Sequence, residues 1–248
     1  MIQKFFYGIG AYTLLMGKVF RMPDKGRMFW RQMSKEMGKQ GLESILITLI
    51  VSVFMGAIMT LQTKLNTENP LLPAYSTGLV TRDCILLEFS STILCLLLAG
   101  KVGSNMASEI GTMRITEQID AMEMMGVNSA GFLVLPKVVA STLLSPLLML
   151  FSLALGLVGG WIVVEFTQII PTPSYITGIK AFYNGFYVFY SCFKMSLFCF
   201  MISTIAAFKG YYSKGGSLGV GRSSTQAIVV TSILILLADL VVTQLMLY

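Results

Sequence analysis

The sequence predicts an all-α membrane protein with five transmembrane helices, and three observations support this prediction. The chain has 248 residues, of which 55% are hydrophobic and only 12% are charged, and its mean hydropathy is +0.75. A soluble domain has about 25% charged residues, so this chain cannot cover a water-facing surface. Five stretches of roughly 17 to 28 residues are almost free of charge, close to the length that a helix needs to cross the hydrocarbon.

This composition excludes several classes of protein. A soluble enzyme, a disordered tail and a small disulfide-stapled domain do not fit such low charge and such high hydropathy. The absence of histidine excludes histidine-based general base catalysis and nearly every zinc site. The four cysteines, Cys84, Cys95, Cys192 and Cys199, lie in apolar stretches without a CxxC spacing, which indicates small buried side chains rather than a metal or disulfide framework.

The predicted elements follow in chain order. Residues 1–43 form an N-terminal segment, and residues 44–248 form the membrane domain with spans near 44–63, 84–100, 138–164, 181–208 and 223–248. In the N-terminal segment, apolar residues at helical spacing predict an interfacial helix on the cytoplasmic leaflet: Phe5, Ile9, Tyr12, Met16 and Phe20. The alternative is a solvated basic leader. No cleavage pattern of a signal peptide follows this segment.

The distribution of basic residues predicts the orientation. Fourteen Lys and Arg residues fall in the N-terminal segment and in the loops after the second and fourth spans, whereas only Lys64, Arg82 and Lys180 fall on the opposite side. Cytoplasmic loops are enriched in Lys and Arg, so we expect a cytoplasmic N-terminus and a C-terminus on the outer side of the membrane. The outer loops contain prolines and asparagines typical of turns, and neither is long enough for a domain.

The cytoplasmic loop after the second span predicts a helix over residues 104–126. On a helical wheel, Glu109, Thr112, Thr116, Asp120 and Glu123 form one polar stripe, and the other faces are rich in methionine and isoleucine. A loop helix of this kind lies either in the groove of a partner or against its own chain, and the pattern does not decide between the two.

Residues 103–127 resemble the signature of MlaE-type permeases. They include Glu-Ile-Gly-Thr-Met-Arg-Ile-Thr-Glu-Gln and then Met-Gly-Val, followed by Pro136-Lys137. Family-like residues recur at 208–212, at 219–225 and around Lys194, so that the resemblance covers roughly residues 40–248. One departure is clear: many members have Arg-Glu-Leu-Gly-Pro at the start of the second span, where this chain has Leu87-Glu88-Phe89-Ser90-Ser91. A mechanism that uses an Arg–Glu pair at this level is therefore in doubt.

The resemblance implies a membrane subunit of a lipid-transporting ABC transporter. The implied partners are a second copy of the chain, a cytoplasmic ABC ATPase dimer, a periplasmic Mce-domain protein and a small cytoplasmic accessory subunit. The substrate would be phospholipid or a related lipid, with no nucleic acid partner. The membrane would be a bacterial inner membrane, with the C-terminus in the periplasm. The chain would need no cofactor of its own, because ATP binds the partner, and no GxxxxGK[ST] motif occurs here. The loop helix would be the coupling helix, with the contact residues Glu109, Arg114, Thr116, Glu117, Asp120 and Glu123.

Three ionisable residues lie within the predicted spans. Charges inside a bilayer cost about 2.5–3.5 kcal/mol on insertion scales and therefore face protein or water. Lys194 and Asp239 have similar predicted depths on neighbouring antiparallel spans, and we expect them to form a structural ion pair. Glu88, near the outer surface, is a candidate for contact with a lipid headgroup or for gating, or a structural acid. Further lipid-binding candidates are Leu61 and Gln62 on the first span and Arg222 at the inner edge of the fifth span, where a topology anchor is the alternative.

Two other classes of function compete with the permease. An ion-coupled secondary transporter could use Glu88, Lys194 and Asp239 as a relay, although five spans show no sign of an inverted repeat. An intramembrane enzyme finds no support, since no paired carboxylates and no Ser/Lys arrangement occur on one face.

Overall fold

The computed structural model describes residues 2–21, 26–67 and 73–247, and within these ranges the regular structure is entirely helical. Ten α-helices are named here in chain order. They are α1 (Ile2–Val19), α2 (Gly26–Asn66), α3 (Ser76–Cys84), α4 (Leu94–Leu98), α5 (Ser104–Ile115), α6 (Gln118–Met124), α7 (Ser129–Thr167), α8 (Thr172–Lys180), α9 (Gly185–Tyr211) and α10 (Gly216–Leu247). Two π-helical segments, Ile85–Ile93 and Ala99–Gly103, join α3, α4 and α5 into one continuous helical stretch.

Five helical stretches are long and apolar enough to cross a membrane, which confirms the predicted fold class. They are Gly26–Asn66, Ser76–Ile115, Ser129–Thr167, Gly185–Tyr211 and Gly216–Leu247. Most extend beyond the predicted limits; α2, for example, begins 18 residues before residue 44. A charge-free window measures only the apolar part of a helix, and the helices continue into charged sequence. The predicted domain boundary at residue 43 falls inside α2 and stays a prediction.

The loop between α7 and α9, predicted to lie outside, contains a helix that its turn residues did not predict. Helix α8 begins with Thr172 and Pro173, and proline is tolerated in the first turn because its missing N–H has no partner there. Arg82 is buried and donates to the carbonyl oxygens of Ile179 and Ala181 at the end of α8. The guanidinium thus satisfies carbonyl groups that the helix end leaves open.

The internal contacts divide the chain into two compact units. The first unit comprises residues 1–42, 96–144 and 197–238, and the second comprises residues 43–95, 145–196 and 239–248. The core of the first unit is apolar and includes Leu15, Met16 and Val19 from α1, together with Ile110 and Ile119. Helix α1 therefore buries one face, while Phe6, Ile9 and Phe20 remain exposed, as an interfacial helix requires.

Small residues form the closest helix contacts of the second unit. Gly56 of α2 lies against the backbone of Gly156 of α7, and Gly159 lies against the backbone of Val53. Near this crossing, Ser52 Oγ donates to Ser152 Oγ at 2.8 Å. Close backbone approach through glycine, with an interhelical hydroxyl pair beside it, is a common way to join helices where hydrocarbon provides no hydrophobic driving force.

Candidate functional site

In the first unit, residues 104–126 do not form one helix, and this corrects the predicted stripe. Helix α5 ends at Ile115, Glu117 has a left-handed φ of 59°, and α6 begins at Gln118. On a continuous helix, Ile110 and Ile119 are nine residues apart and would point in opposite directions. The break lets both side chains reach the same core, where each is fully buried. The burial of Ile119 therefore accounts for the interruption.

Because of this break, the predicted coupling residues have different surroundings. Arg114 donates to Asp120 Oδ1 at 2.6 Å and stacks over the Tyr211 ring. Glu123 accepts hydrogen bonds from Tyr211 Oη at 2.7 Å and from Ser129 Oγ at 2.9 Å. The hydrogen bond from Tyr211, followed by that from Ser129, lowers the pKa of the Glu123 carboxyl below its ordinary value. These residues hold the loop in shape.

The outward surface of the loop consists of other residues. Met124 is 90% exposed, Met125 is 71% exposed and Val127 is also exposed, next to the exposed Glu117 and Gln118. We call these five residues the loop surface. Thr116 is exposed beside it, with its hydroxyl bonded to the carbonyl oxygen of Thr112. Sequence reasoning assigned Met124 and Met125 to the apolar faces and so missed that they lie outside.

Glu109 belongs to a separate ion cluster. Its carboxylate lies 3.0 Å from Lys137 Nζ and 3.1 Å from Lys39 Nζ, and Lys137 also donates to Glu36 at 2.7 Å. Lys137 and Glu36 are both buried, so the cluster fastens α2, α5 and α7 together within the first unit. The sequence showed Lys137 only as the end of a motif, and nothing in it indicated Glu36.

The second unit contains an intramembrane ion cluster that the sequence predicted in part. Lys194 of α9 is fully buried and forms ion pairs with Asp239 of α10 and with Glu88 at 3.0 Å. Thr92 Oγ1 lies within hydrogen-bond distance of both carboxylates. The expected contact between Lys194 and Asp239 is thus present in the structure, with Glu88 added. From the sequence, Glu88 was predicted near the outer surface and apart from this pair, because the predicted span began at residue 84. In the structure the helical stretch begins earlier, at Ser76.

The π-helical geometry around Glu88 serves the same cluster. A π-turn widens the helix and leaves carbonyl oxygens open to other donors. Here Ser191 Oγ donates to the carbonyl oxygen of Leu86 at 2.6 Å, and Lys194 Nζ donates to that of Leu87 at 3.2 Å. The side chains of α9 therefore satisfy the open carbonyls of the first π-helical segment.

The remaining candidates lie on exposed surfaces. Leu61 and Gln62 are exposed on α2. Arg222 is exposed on α10 and lines an open groove together with Ser217, Thr225 and Gln226. Among the described residues, no group of three or more Cys, Asp or Glu side chains could hold a metal ion.

Comparison with known proteins decides the family. The family model of the permease MlaE matches residues 33–245. The chain belongs to the MlaE permease family. This MlaE permease is 32% identical over 242 residues to a probable ABC transporter permease protein of Rickettsia bellii. The aligned region covers 96% of this chain and 91% of the relative. It is also 32% identical to the probable ABC transporter permease protein slr1045 of Synechocystis, with 99% and 93% of the two chains covered.

A plant relative is similar over most of the same length. The Arabidopsis thaliana protein TRIGALACTOSYLDIACYLGLYCEROL 1, chloroplastic, is 28% identical over 239 residues, with 94% of this chain and 67% of the relative covered. The MlaE permease described here is therefore a multi-pass membrane protein and an ABC transporter permease. A permease of this kind works with an ATPase and a substrate-binding partner.

Proposed function

We propose that this MlaE permease moves phospholipid between a bacterial inner membrane and a periplasmic Mce-domain protein, which would maintain the lipids of the outer membrane. The single observation that carries the proposal is the family match over residues 33–245. The name of the plant relative, which contains that of a glycerolipid, agrees with a lipid substrate. The chain would act as a homodimer without catalysis of its own, while a separate cytoplasmic subunit hydrolyses ATP.

The loop surface is our candidate for the ATPase contact. Met124 and Met125 offer flexible, polarisable side chains that adapt to a groove, and Glu117 and Gln118 offer polar contacts at its edge. Adjacent exposed methionines form an apolar surface, and such a surface is typical of a site that a partner or the membrane covers. Of the predicted coupling residues, Glu117 and Thr116 lie on or beside this surface, while Arg114, Asp120 and Glu123 are engaged in contacts within the loop and with Tyr211.

The function is tested on the transporter purified with its subunits. We expect a tagged chain to retain an ATPase and a Mce-domain protein in fixed stoichiometry, and bound phospholipid to be detected by mass spectrometry. In vesicles, transfer of a labelled phospholipid to the Mce-domain protein should require ATP hydrolysis. The alternative of an ion-coupled transporter predicts transport by the chain alone under a proton or sodium gradient, and this result would overturn the proposal.

The proposed contact with the ATPase is tested by introducing negative charge at the centre of the loop surface. The double substitution Met124→Glu and Met125→Glu should abolish retention of the ATPase, because two carboxylates would have to be desolvated in the groove. The matched control is Met28→Glu, which changes an exposed methionine of α2 outside the loop surface. Met124 and Met125 are more informative sites than Asp120 and Glu123. Charge reversal at Asp120 and Glu123 would also break their hydrogen bonds with Arg114 and Tyr211, and would therefore disturb the loop itself. Full ATPase retention by the double variant would remove the loop surface as the contact.

A further inference from the structure

A small cavity, partly open to the surface, lies in the second unit where α2, the first π-helical segment and α7 meet. Its volume is about 10 Å³, and it is lined by Ser52, Ser90 and Ser152, with Gly56, Gly156 and apolar side chains completing the wall. One water molecule requires about 10–15 Å³ of such space. The cavity is therefore large enough for about one water molecule and far too small for a lipid.

Ser90 has an unmet hydrogen-bonding requirement at this cavity. Its side chain is 1% exposed, and Ser90 Oγ has no hydrogen-bond partner among the described residues. Serine in a membrane helix usually donates to a carbonyl oxygen of the preceding turn, as Ser91 does toward Leu87 at 3.2 Å. A buried hydroxyl without any partner costs about 1–3 kcal/mol, so its persistence requires an explanation.

The Ser52–Ser152 pair supplies the other groups that a water molecule needs. Each hydroxyl can donate once and accept twice, and the bond of 2.8 Å between Ser52 and Ser152 uses one donor and one acceptor. Both side chains line the same cavity as Ser90 and are buried. Lone pairs of both oxygens thus remain available beside Ser90, which gives a water molecule two to four possible polar partners.

We propose that one ordered water molecule occupies this cavity and connects Ser90 to the Ser52–Ser152 pair. The cavity volume, the lone Ser90 hydroxyl and the serine pair on the opposite wall lead to it independently of the transport function. The water molecule fills the junction beside the Gly56–Gly156 crossing, where glycines allow the helices to approach but leave little side-chain volume. It is a structural ligand of the three-helix junction.

The decisive test is X-ray hydroxyl-radical footprinting of the purified transporter, because radicals formed from bound water oxidise the side chains next to it. Ile85 and Leu94 line the cavity and are 2% and 3% exposed, whereas Leu86 and Leu98, at 1% and 2%, do not line it. We expect Ile85 and Leu94 to be oxidised roughly three-fold more than Leu86 and Leu98, since burial is the same and only the water differs. Equal oxidation of the two pairs would overturn the proposal, and neither outcome depends on lipid transport.

A pair of variants provides a second test. Thr81 is also fully buried with a hydroxyl that lacks a partner, but it does not line the cavity. Thr81→Val removes a buried hydroxyl that lies outside the cavity and should raise the melting temperature of the transporter. Ser90→Ala removes a partner of the water molecule, so its change in melting temperature should lie below that of Thr81→Val. A rise for Ser90→Ala equal to or above that for Thr81→Val would show that Ser90 is dry.

Discussion

Lys194 is the residue whose charge decides the stability of the second unit. It is fully buried and balances two carboxylates, Glu88 and Asp239. Lys194→Met should destabilise the protein by about 3–5 kcal/mol, because it leaves Asp239, whose side chain is only 17% exposed, and Glu88 without a counter-ion. Glu88→Gln should cost much less, since Lys194 keeps Asp239 and the Glu88 side chain is already 42% exposed. The measurement is the yield and melting temperature of the assembled transporter, and equal effects of the two substitutions would contradict this ranking.

Glu123 provides a pH-dependent contact in α6, the short helix between α5 and α7. Its pKa is lowered by the hydrogen bonds from Tyr211 and Ser129, so the folded state favours the ionised carboxylate. Its contribution to stability is therefore present above the ordinary pKa of 4.5 and is lost as the pH falls through the lower folded value. Tyr211→Phe should lower the melting temperature by about 2 °C or less at pH 7, as expected for a mostly exposed group. The difference from the unsubstituted protein should narrow as the pH falls below 4.5 and through the lowered folded value, and a difference that is constant with pH would contradict the assignment.

At the scale of elements, Gly56 makes the most demanding contact of α2. A Cβ atom at Gly56 would lie 1.8 Å from the carbonyl oxygen of Gly156, which no side-chain movement can relieve. Gly56→Ala should therefore separate α2 from α7 and abolish assembly. The control is Gly38→Ala on the same helix, where a Cβ atom has no neighbour within 4 Å and where alanine favours the helix. Pulse proteolysis of membranes that contain each variant gives the result, and normal resistance of Gly56→Ala would contradict this close packing.

Elements were predictable where a single physical requirement determines them. Charge-free length determines that a helix crosses the bilayer, so all five spans were found. The part of α2 before residue 44, which contains Glu36, and the break at Glu117 both make tertiary contacts, namely the Lys137–Glu36 ion pair and the joint burial of Ile110 and Ile119. Local sequence does not contain these contacts. The π-helical segment likewise depends on donors from α9, more than 100 residues away along the chain.

For the whole molecule, charge is the property that the sequence determines most directly. Fourteen basic residues on one side against three on the other predict a cytoplasmic N-terminus and a periplasmic C-terminus. The predicted pair of Lys194 on the fourth membrane-spanning stretch and Asp239 on the fifth was found because an unbalanced charge in a bilayer requires a partner at similar depth. The ion pair of Lys194 with Glu88 could not be predicted without knowledge of where the helix of Glu88 begins.

This orientation can be tested with one cysteine on each side of the membrane. Lys180 at the end of α8 and Lys214 before α10 are both exposed and lie in loops assigned to opposite sides. In spheroplasts, a membrane-impermeant maleimide should label Lys180→Cys at once and Lys214→Cys only after the membrane is permeabilised. The unsubstituted protein gives the background from its four native cysteines, of which Cys95 and Cys199 are buried. The reverse pattern of labelling would place the loop surface in the periplasm, where no ATPase could reach it, and would contradict both the orientation and the proposed coupling.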